Sequence, residues 1–420
     1  MNIIHVHDKQ LIGDGPGVVR PDQGAEASGI AVYLSHVINA QTKRGDLVRT
    51  VRFRPGVDAL DTGRDHATYP SSATRRRAKL NSRVLQWLSR ASPDVVHLHS
   101  VYYALHPTLL SEIAARFPTV CTIHDVTPIC FRRDRLFRGT TPCSRSIGVG
   151  CVTSGCFLPS ADTPVLEWGK RLVHHRASHP AHEGLPLVVT PSEALASMLR
   201  GSGFVHHRLR VIPLFTRFEA EASAQHPPPG RTPAHIVCLG RVAREKGQHL
   251  FIEALERLPE SMPWTATLAG DGPDLARVRE TLARSPINAR VTLAGRIEAS
   301  AAARLYARAD LVVMPSCIPE SFGLVGVEAM SFARPVVAFP SGGVTEWLDD
   351  TRTGLLASHG SAADLGSKIA AMIDDPARRV RLGLAGQQHV RERFTLAAHL
   401  ESLDAVYSEA TPCQATARVS

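Results

Sequence analysis

The chain has 420 residues, of which 44% are hydrophobic, 21% charged and 5% aromatic, the balance of a globular protein with room for two cored domains. No apolar run approaches the roughly 20 residues of a membrane span, and the first, Asn2 to His7, is too short for a secretion signal, so a cytoplasmic protein is expected. The net charge of +9 is uneven, with 27 Lys/Arg against 17 Asp/Glu in residues 1–220 and 21 against 22 in residues 221–420; sparse aromatics and the lack of a recognised module argue against a nucleic-acid partner, and none is expected.

From the N-terminus, short apolar runs alternate with helical patterns, which predicts an α/β protein with parallel sheets. The runs are Asn2–His7, Leu47–Phe53, Asp94–His99, Thr119–His124, Leu187–Thr190 and Arg210–Pro213. Between the first two, Ile30, Tyr33, Leu34, Val37 and Ile38 recur at helical spacing over Gly29–Lys43. Two basic clusters lie in this half: Arg75, Arg76, Arg77 and Lys79, then Arg132, Arg133, Arg135 and Arg138. They suit an anionic membrane surface, a lipid-linked phosphate or an acidic saccharide, or else form an ordinary solvated face. Cys130, Cys143, Cys151 and Cys156 fall within an insertion, residues 130–156, without any C-x2-C pair. A structural zinc clip and free thiols both fit that spacing. Cys121, Cys238 and Cys317 sit in or beside apolar strands and read as small core residues.

Composition then shifts at Pro227-Pro228-Pro229-Gly230, inside a linker placed at residues 219–233 between a first domain, 1–218, and a second, 234–392. The second strand series is His235–Gly240, Thr265–Gly270, Arg290–Ala294, Asp310–Pro315 and Pro335–Phe339. Two doubly wound, Rossmann-like domains place a cleft between the C-terminal edges of their sheets, where such folds bind ligands. An amphipathic pattern over Phe394–Tyr407 predicts a final helix, residues 393–410, before a tail, 411–420.

Four strand ends in the second domain carry chemistry. Gly240-Arg241-Val242-Ala243-Arg244-Glu245-Lys246-Gly247 opens a helix and brings two cations, Arg241 and Lys246, to where a pyrophosphate would meet it, though it is neither a Walker loop nor G-x-G-x-x-G. Ala269-Gly270-Asp271-Gly272-Pro273 is a tight turn that would let backbone approach a ligand closely. Ala294-Gly295-Arg296-Ile297 offers main-chain groups and an apolar surface to a nucleobase. The fourth, Pro319-Glu320-Ser321-Phe322-Gly323-Leu324 through to Glu328, sets two carboxylates around a Ser/Gly turn entering a helix. Unpaired N–H groups at the helix start favour phosphate, and the flanking carboxylates accept hydrogen bonds from hydroxyls.

Together these motifs, with Ser28-Gly29, Asp94-Val95-Val96-His97-Leu98-His99, Thr122-Ile123-His124-Asp125, Gly342-Gly343…Glu346 and Gly354-Leu355-Leu356, resemble the retaining glycosyltransferases of family four. The resemblance spans essentially the whole chain, with the Glu-x7-Glu element its most specific part and Ser28 a departure from the usual Gly-Gly. It implies the GT-B fold, with the last helix crossing back onto the first domain, and transfer of a sugar from a UDP- or GDP-linked donor to a saccharide or lipid-linked acceptor, in polysaccharide or glycolipid biosynthesis. By the same resemblance Arg241 and Lys246 would clamp the diphosphate beside Gly240 and Gly270, with Arg296 and Ile297 near the nucleoside. Glu328 would bind the ribose and Glu320 the transferred sugar, while Ser321, Phe322, Gly323 and Leu324 present backbone amides. His124 would face the reacting centre, and Gly29 would line it from the first domain. The sequence has no Asp-x-Asp, and fixed cations with a helix N-terminus can stabilise a leaving diphosphate, so catalysis without a metal or other cofactor is expected. A peripheral position at the inner membrane face would fit the basic first domain. A non-catalytic sugar-nucleotide-binding regulator on the same fold is the competing expectation.

Overall fold

A computed structural model describes residues 1–8, 29–54, 61–62, 66–70 and 78–411, apart from 103, 131, 133, 138–140, 144, 146, 148–149, 152–153, 155, 157–164 and 224–231. Strands are β1 (Asn2–His7), β2 (Leu47–Arg54), β3 (Asp61–Thr62), β4 (His66–Pro70), β5 (Val95–His99), β6 (Thr119–Thr122), β7 (Leu136–Phe137), β8 (Thr141–Pro142), β9 (Leu187–Thr190), β10 (Leu209–Val211), β11 (Ala234–Leu239), β12 (Trp264–Ala269), β13 (Val291–Gly295), β14 (Leu311–Met314), β15 (Val336–Ala338) and β16 (Gly354–Leu356). Helices are α1 (Gly29–Lys43), α2 (Ala78–Ala91), α3 (Pro107–Arg116), α4 (Val165–Glu183), α5 (Glu193–Arg200), α6 (Glu219–Ser223), α7 (Gln248–Glu256), α8 (Leu275–Ala283), α9 (Ala299–Arg308), α10 (Leu324–Ser331), α11 (Ala362–Asp374), α12 (Pro376–Arg393) and α13 (Leu396–Ala410).

The strands form two large sheets. The first runs β10-β9-β6-β5-β1-β2-β4-β3, parallel except for the short antiparallel edge β3. The second runs β13-β12-β11-β14-β15-β16, all parallel. Central strands of a parallel sheet are covered on both faces, so their side chains are apolar throughout; β14, Leu-Val-Val-Met, is buried at every position. In the second sheet the winding reverses between β11 and β14, the place where loops part and open a crevice at the strands' C-terminal ends. Both the Gly240–Gly247 loop and the Glu320 loop leave strands that flank this switch point.

The first sheet has a layer that its strand pattern alone does not disclose. Ile4, Val6, Val96 and Leu98 face a purely apolar cluster with α2 and α3, whereas on the other face β1 and β5 contribute His5, His97 and His99, all buried. That face is closed by α1 and by α13, whose Leu403, Val406 and Tyr407 join Ile3, Tyr33, Leu34, Val95 and Val120 in one core. The last helix thus crosses onto the first domain, held at its rim by a two-pronged pair from Arg44 to Asp404 (2.6 and 2.7 Å).

The structure bears on several further expectations and corrects one, the placing of Arg135. The linker segment begins with α6, its proline run lying outside the described residues. Arg135 is no surface cation: it is buried, donating to the carbonyls of Ile129 (3.0 Å) and Arg145 (2.7 Å). Arg132 pairs with Asp134 at 3.1 Å, while Arg75, Arg76, Arg77, Arg133 and Arg138, like Ser28 and most of the tail, lie outside the described residues. Among the described residues no three of Cys130, Cys143, Cys151 and Cys156 come together as metal ligands, and all four are free thiols. No described helix is long and apolar enough to cross a membrane.

Candidate functional site

A cavity of about 600 Å³ lies between the two sheets' C-terminal edges. Gly29 and Tyr33 of α1 and the His124–Val126 segment after β6 line it from the first domain; Gly240, Arg241, Lys246 and the segment from Met314 to Val325 line it from the second. The sequence-predicted residues Gly29, His124, Gly240, Arg241, Lys246, Glu320, Ser321, Phe322, Gly323 and Leu324 are therefore gathered around one space.

The Glu320 loop is shaped by the turn that follows β15. Gly343 N–H donates to the Glu320 carbonyl (2.8 Å) and the Trp347 indole N–H to the Phe322 carbonyl (2.6 Å). Across a trans peptide the next N–H points the opposite way, so the N–H groups of Ser321 and Gly323 turn away from that turn. The two loops touch so closely that a Cβ on Gly342, at φ +57°, would sit 2.3 Å from the Glu320 carbonyl oxygen. The Phe322 side chain is buried against Phe394, leaving only its backbone for the cavity.

Lys246 Nζ meets Glu320 Oε1 at 2.6 Å, with both side chains partly buried at the cavity wall. Arg241 pairs with Glu245 in its own loop. Gln248, at the start of α7, fastens that loop by donating to the Arg241 carbonyl (2.9 Å) and accepting from Ala243 N–H (3.3 Å). It has no motif to betray it in the sequence.

Glu328 is set back from the main cavity, at a smaller one of about 40 Å³ that shares Gly29, Tyr33 and Leu324. It is 5% exposed, accepts from the Tyr306 hydroxyl (3.0 Å) and forms an ion pair with Arg217 Nε (2.9 Å). Burial pushes its carboxyl up from the usual range, and Arg217 and Tyr306 hold it back. Sequence reasoning missed Arg217, which lies in the crossing between domains without a motif.

Besides Glu328, three predicted residues do not line the main cavity. Gly270 lets backbone approach closely, as expected of the turn, but the close neighbour is protein: a Cβ there would lie 1.8 Å from the Gly240 carbonyl oxygen. Arg296 is exposed, and Ile297 packs against the core around Tyr306 and Val312. His124 is 8% exposed, set edge-on to Tyr33 with ring centroids 5.0 Å apart. A further cavity of about 80 Å³ adjoins it, lined by Asp8, Ser100, Tyr102, Asp125 and His182 of the first domain.

Residues 27–217 match the family described as Glycosyltransferase Family 4, and residues 220–389 match Glycosyl transferases group 1. The chain belongs to glycosyltransferase family four. It is an enzyme that transfers sugars. This glycosyltransferase is 28% identical to the D-inositol 3-phosphate glycosyltransferase of Pseudarthrobacter chlorophenolicus over 87% of its own length and 86% of that protein's. It is 33% identical to the lipopolysaccharide core biosynthesis mannosyltransferase LpcC of Rhizobium leguminosarum bv. viciae over 43% of its length and 51% of that protein's. In structure it is similar to sucrose-phosphate synthase from Thermosynechococcus elongatus (TM-score 0.67, 20% identity, 97% of this chain and 98% of that one). HepE of Anabaena in complex with UDP matches likewise (TM-score 0.67, 19% identity, 97% and 100%). These structural likenesses establish the GT-B fold of the glycosyltransferase.

Proposed function

We propose that the chain takes a sugar from a nucleoside diphosphate donor, UDP- or GDP-linked, and transfers it with retention of anomeric configuration to a hydroxyl of a saccharide or lipid-linked acceptor on the first domain. What carries this reading is the convergence in one cavity of Lys246, Arg241, the N–H face of Ser321 to Leu324 and the carboxylate of Glu320. Cations and oriented N–H groups receive the negative charge that builds on a departing diphosphate, while a carboxylate accepts hydrogen bonds from sugar hydroxyls. In this reading the diphosphate replaces Glu320 as partner of Lys246, freeing that carboxylate for the sugar, and Glu328 receives the ribose. HepE of Anabaena has been crystallised with UDP-glucose, and a relative is a lipopolysaccharide core mannosyltransferase, which favours both the donor class and an envelope-type acceptor.

The bond from the anomeric carbon to the diphosphate breaks, the acceptor oxygen forms its bond on the same face, and its proton passes to the departing phosphate oxygen. Arg241 and Lys246 supply the stabilising charge, so the step proceeds without a divalent ion. A cytoplasmic enzyme docked peripherally at the inner membrane face would meet a lipid-linked acceptor there. Lys246→Ala is expected to lower transfer by roughly 100- to 1,000-fold with an unchanged circular dichroism spectrum, measured against a panel of nucleotide sugars. Full activity in that variant, or transfer that collapses with chelator and returns only with a divalent ion, would sink the cation-clamp account.

A further inference from the structure

The buried polar layer beneath the cavity is a directed chain of hydrogen bonds that ends on His124. His124 Nε2 lies 3.3 Å from His99 Nδ1, His99 Nε2 lies 3.0 Å from His5 Nδ1, and His5 Nε2 lies 2.8 Å from Gln41 Oε1. The ring centroids are 5.6 Å apart for the first pair and 5.2 Å for the second, with interplanar angles of 27° and 28°. Centroid separations that exceed the N···N distance by about one ring radius at each end mean that the imidazoles meet nitrogen to nitrogen, close to in-plane. His5 and His99 are fully buried.

The far end of this chain fixes its direction. The carbonyl oxygen of a carboxamide accepts only, so His5 must carry its proton on Nε2. Burial holds His5 down to about 4 and His99 well below the ordinary histidine value, so both rings are neutral near pH 7. A neutral His5 with hydrogen on Nε2 has a bare Nδ1, which takes a proton from His99 Nε2. His99 then has a bare Nδ1 for His124 Nε2–H. The Gln41 amide nitrogen reaches the Tyr407 hydroxyl (3.4 Å), which meets His97 Nδ1 at 2.7 Å; His97 Nε2 meets Thr122 Oγ1 at 2.7 Å.

We propose that Gln41, His5 and His99 are positioning residues that fix the ring and tautomer of His124, with hydrogen on Nε2 and Nδ1 as the acceptor. The proposal rests on the reading above that His124 faces the transferred sugar: an imidazole held this way accepts a hydrogen bond from a sugar hydroxyl and does not donate to a ring or phosphate oxygen. The chain is a lock and not a proton wire, since the amide at its end can take no proton onward. His5, His97 and His99 also place ligand atoms within 4.8 Å of one another, the spacing of a metal trio. Both nitrogens of each of these rings already meet a protein partner, and a directed network satisfies them without an ion.

The test uses the full chain with ring-15N histidine, recorded near pH 7.5 without donor, alongside steady-state transfer. In the parent protein His124 is expected as a single tautomer with bare Nδ1. Gln41→Met, which keeps length and removes the acceptor, and His99→Phe, which keeps ring shape and removes both nitrogens, should each give a tautomer mixture at His124. Each should lower kcat/KM by roughly 10-fold, the worth of one oriented hydrogen bond. His99→Gln, retaining an acceptor and a donor, should recover part of the loss. An unchanged His124 tautomer in folded Gln41→Met and His99→Phe overturns the proposal, as does one equivalent of zinc in the purified parent protein. A released tautomer with undiminished transfer would leave the lock standing and overturn instead the assignment of His124 to the sugar.

Discussion

Burying Glu328 beside Tyr306 removes water from a carboxylate, and Arg217 offsets that loss with its guanidinium at 2.9 Å. Breaking one side of such a pair leaves an uncompensated charge in low dielectric. Arg217→Ala should therefore destabilise the protein by about 3 kcal/mol, read as a lowered urea midpoint. Arg217→Met combined with Glu328→Gln should recover much of that stability without recovering transfer. Equal stability of the single variant and the parent would show that the pair is solvated in solution. Where a motif marked them, as with Lys246, Glu320 and His124, the residues that meet at the cavity were legible. Arg217 and Gln41 act through partners 111 and 36 residues away, Gln248 acts through a backbone carbonyl 7 residues back, and no local pattern announces them.

The turns at strand ends work as a set because neighbouring loops support each other's backbone. Gly270 N–H donates to the Gly295 carbonyl (2.7 Å) and Gly240 N–H to the Ala269 carbonyl (3.0 Å). Gly270→Ala would force the loop after β12 away from the loop that carries Arg241, in a conformation, φ +147°, that side chains rarely adopt. The expected outcome is a loss of roughly 2 kcal/mol together with weakened donor binding, measured by calorimetric titration with a nucleoside diphosphate. Unaltered affinity would mean the loops move independently. Alternation of apolar runs and helical patterns was enough to find the major strands of both sheets. The strands β3, β4, β7, β8 and β16 escaped because they are short or polar, and a two-residue strand such as β3 or β7 is defined by its partner, not by a period of its own. The same limit explains Gly270: the sequence showed a turn that permits close approach, but which backbone approaches is a tertiary fact.

At the scale of the whole molecule, the first domain and the α13 helix packed on it carry many buried imidazoles. Burial holds His5, His182 and His399 down to about 4, His175 to about 3, and His97 and His99 well below 6.5. In the unfolded chain these groups protonate near pH 6.5 while the folded ones do not, so the unfolded state binds more protons and stability falls as pH drops from about 6.5 to about 4. Each histidine contributes up to about 1.4 kcal/mol per pH unit over its window. Scanning calorimetry should show the first domain's transition falling steeply across that range and flattening below it; a pH-independent transition would mean the imidazoles reach water. Across the cleft, Glu346 of the second domain accepts from the N–H groups of Glu193 (2.9 Å) and Ala194 (2.8 Å) at the start of α5, tying the two halves.

The crossing of α13 also has a bearing on synthesis. Leu403, Val406 and Tyr407 complete a core whose other members begin at Ile3, so a chain emerging from the ribosome must keep the face of β1 and β5 open until Tyr407 has appeared. Residues 1–218 expressed alone should accordingly bind a hydrophobic dye and precipitate, while a chain ending at 395 and supplied with a peptide of residues 396–410 should regain its fold. The first domain would then be made before the second and close after it.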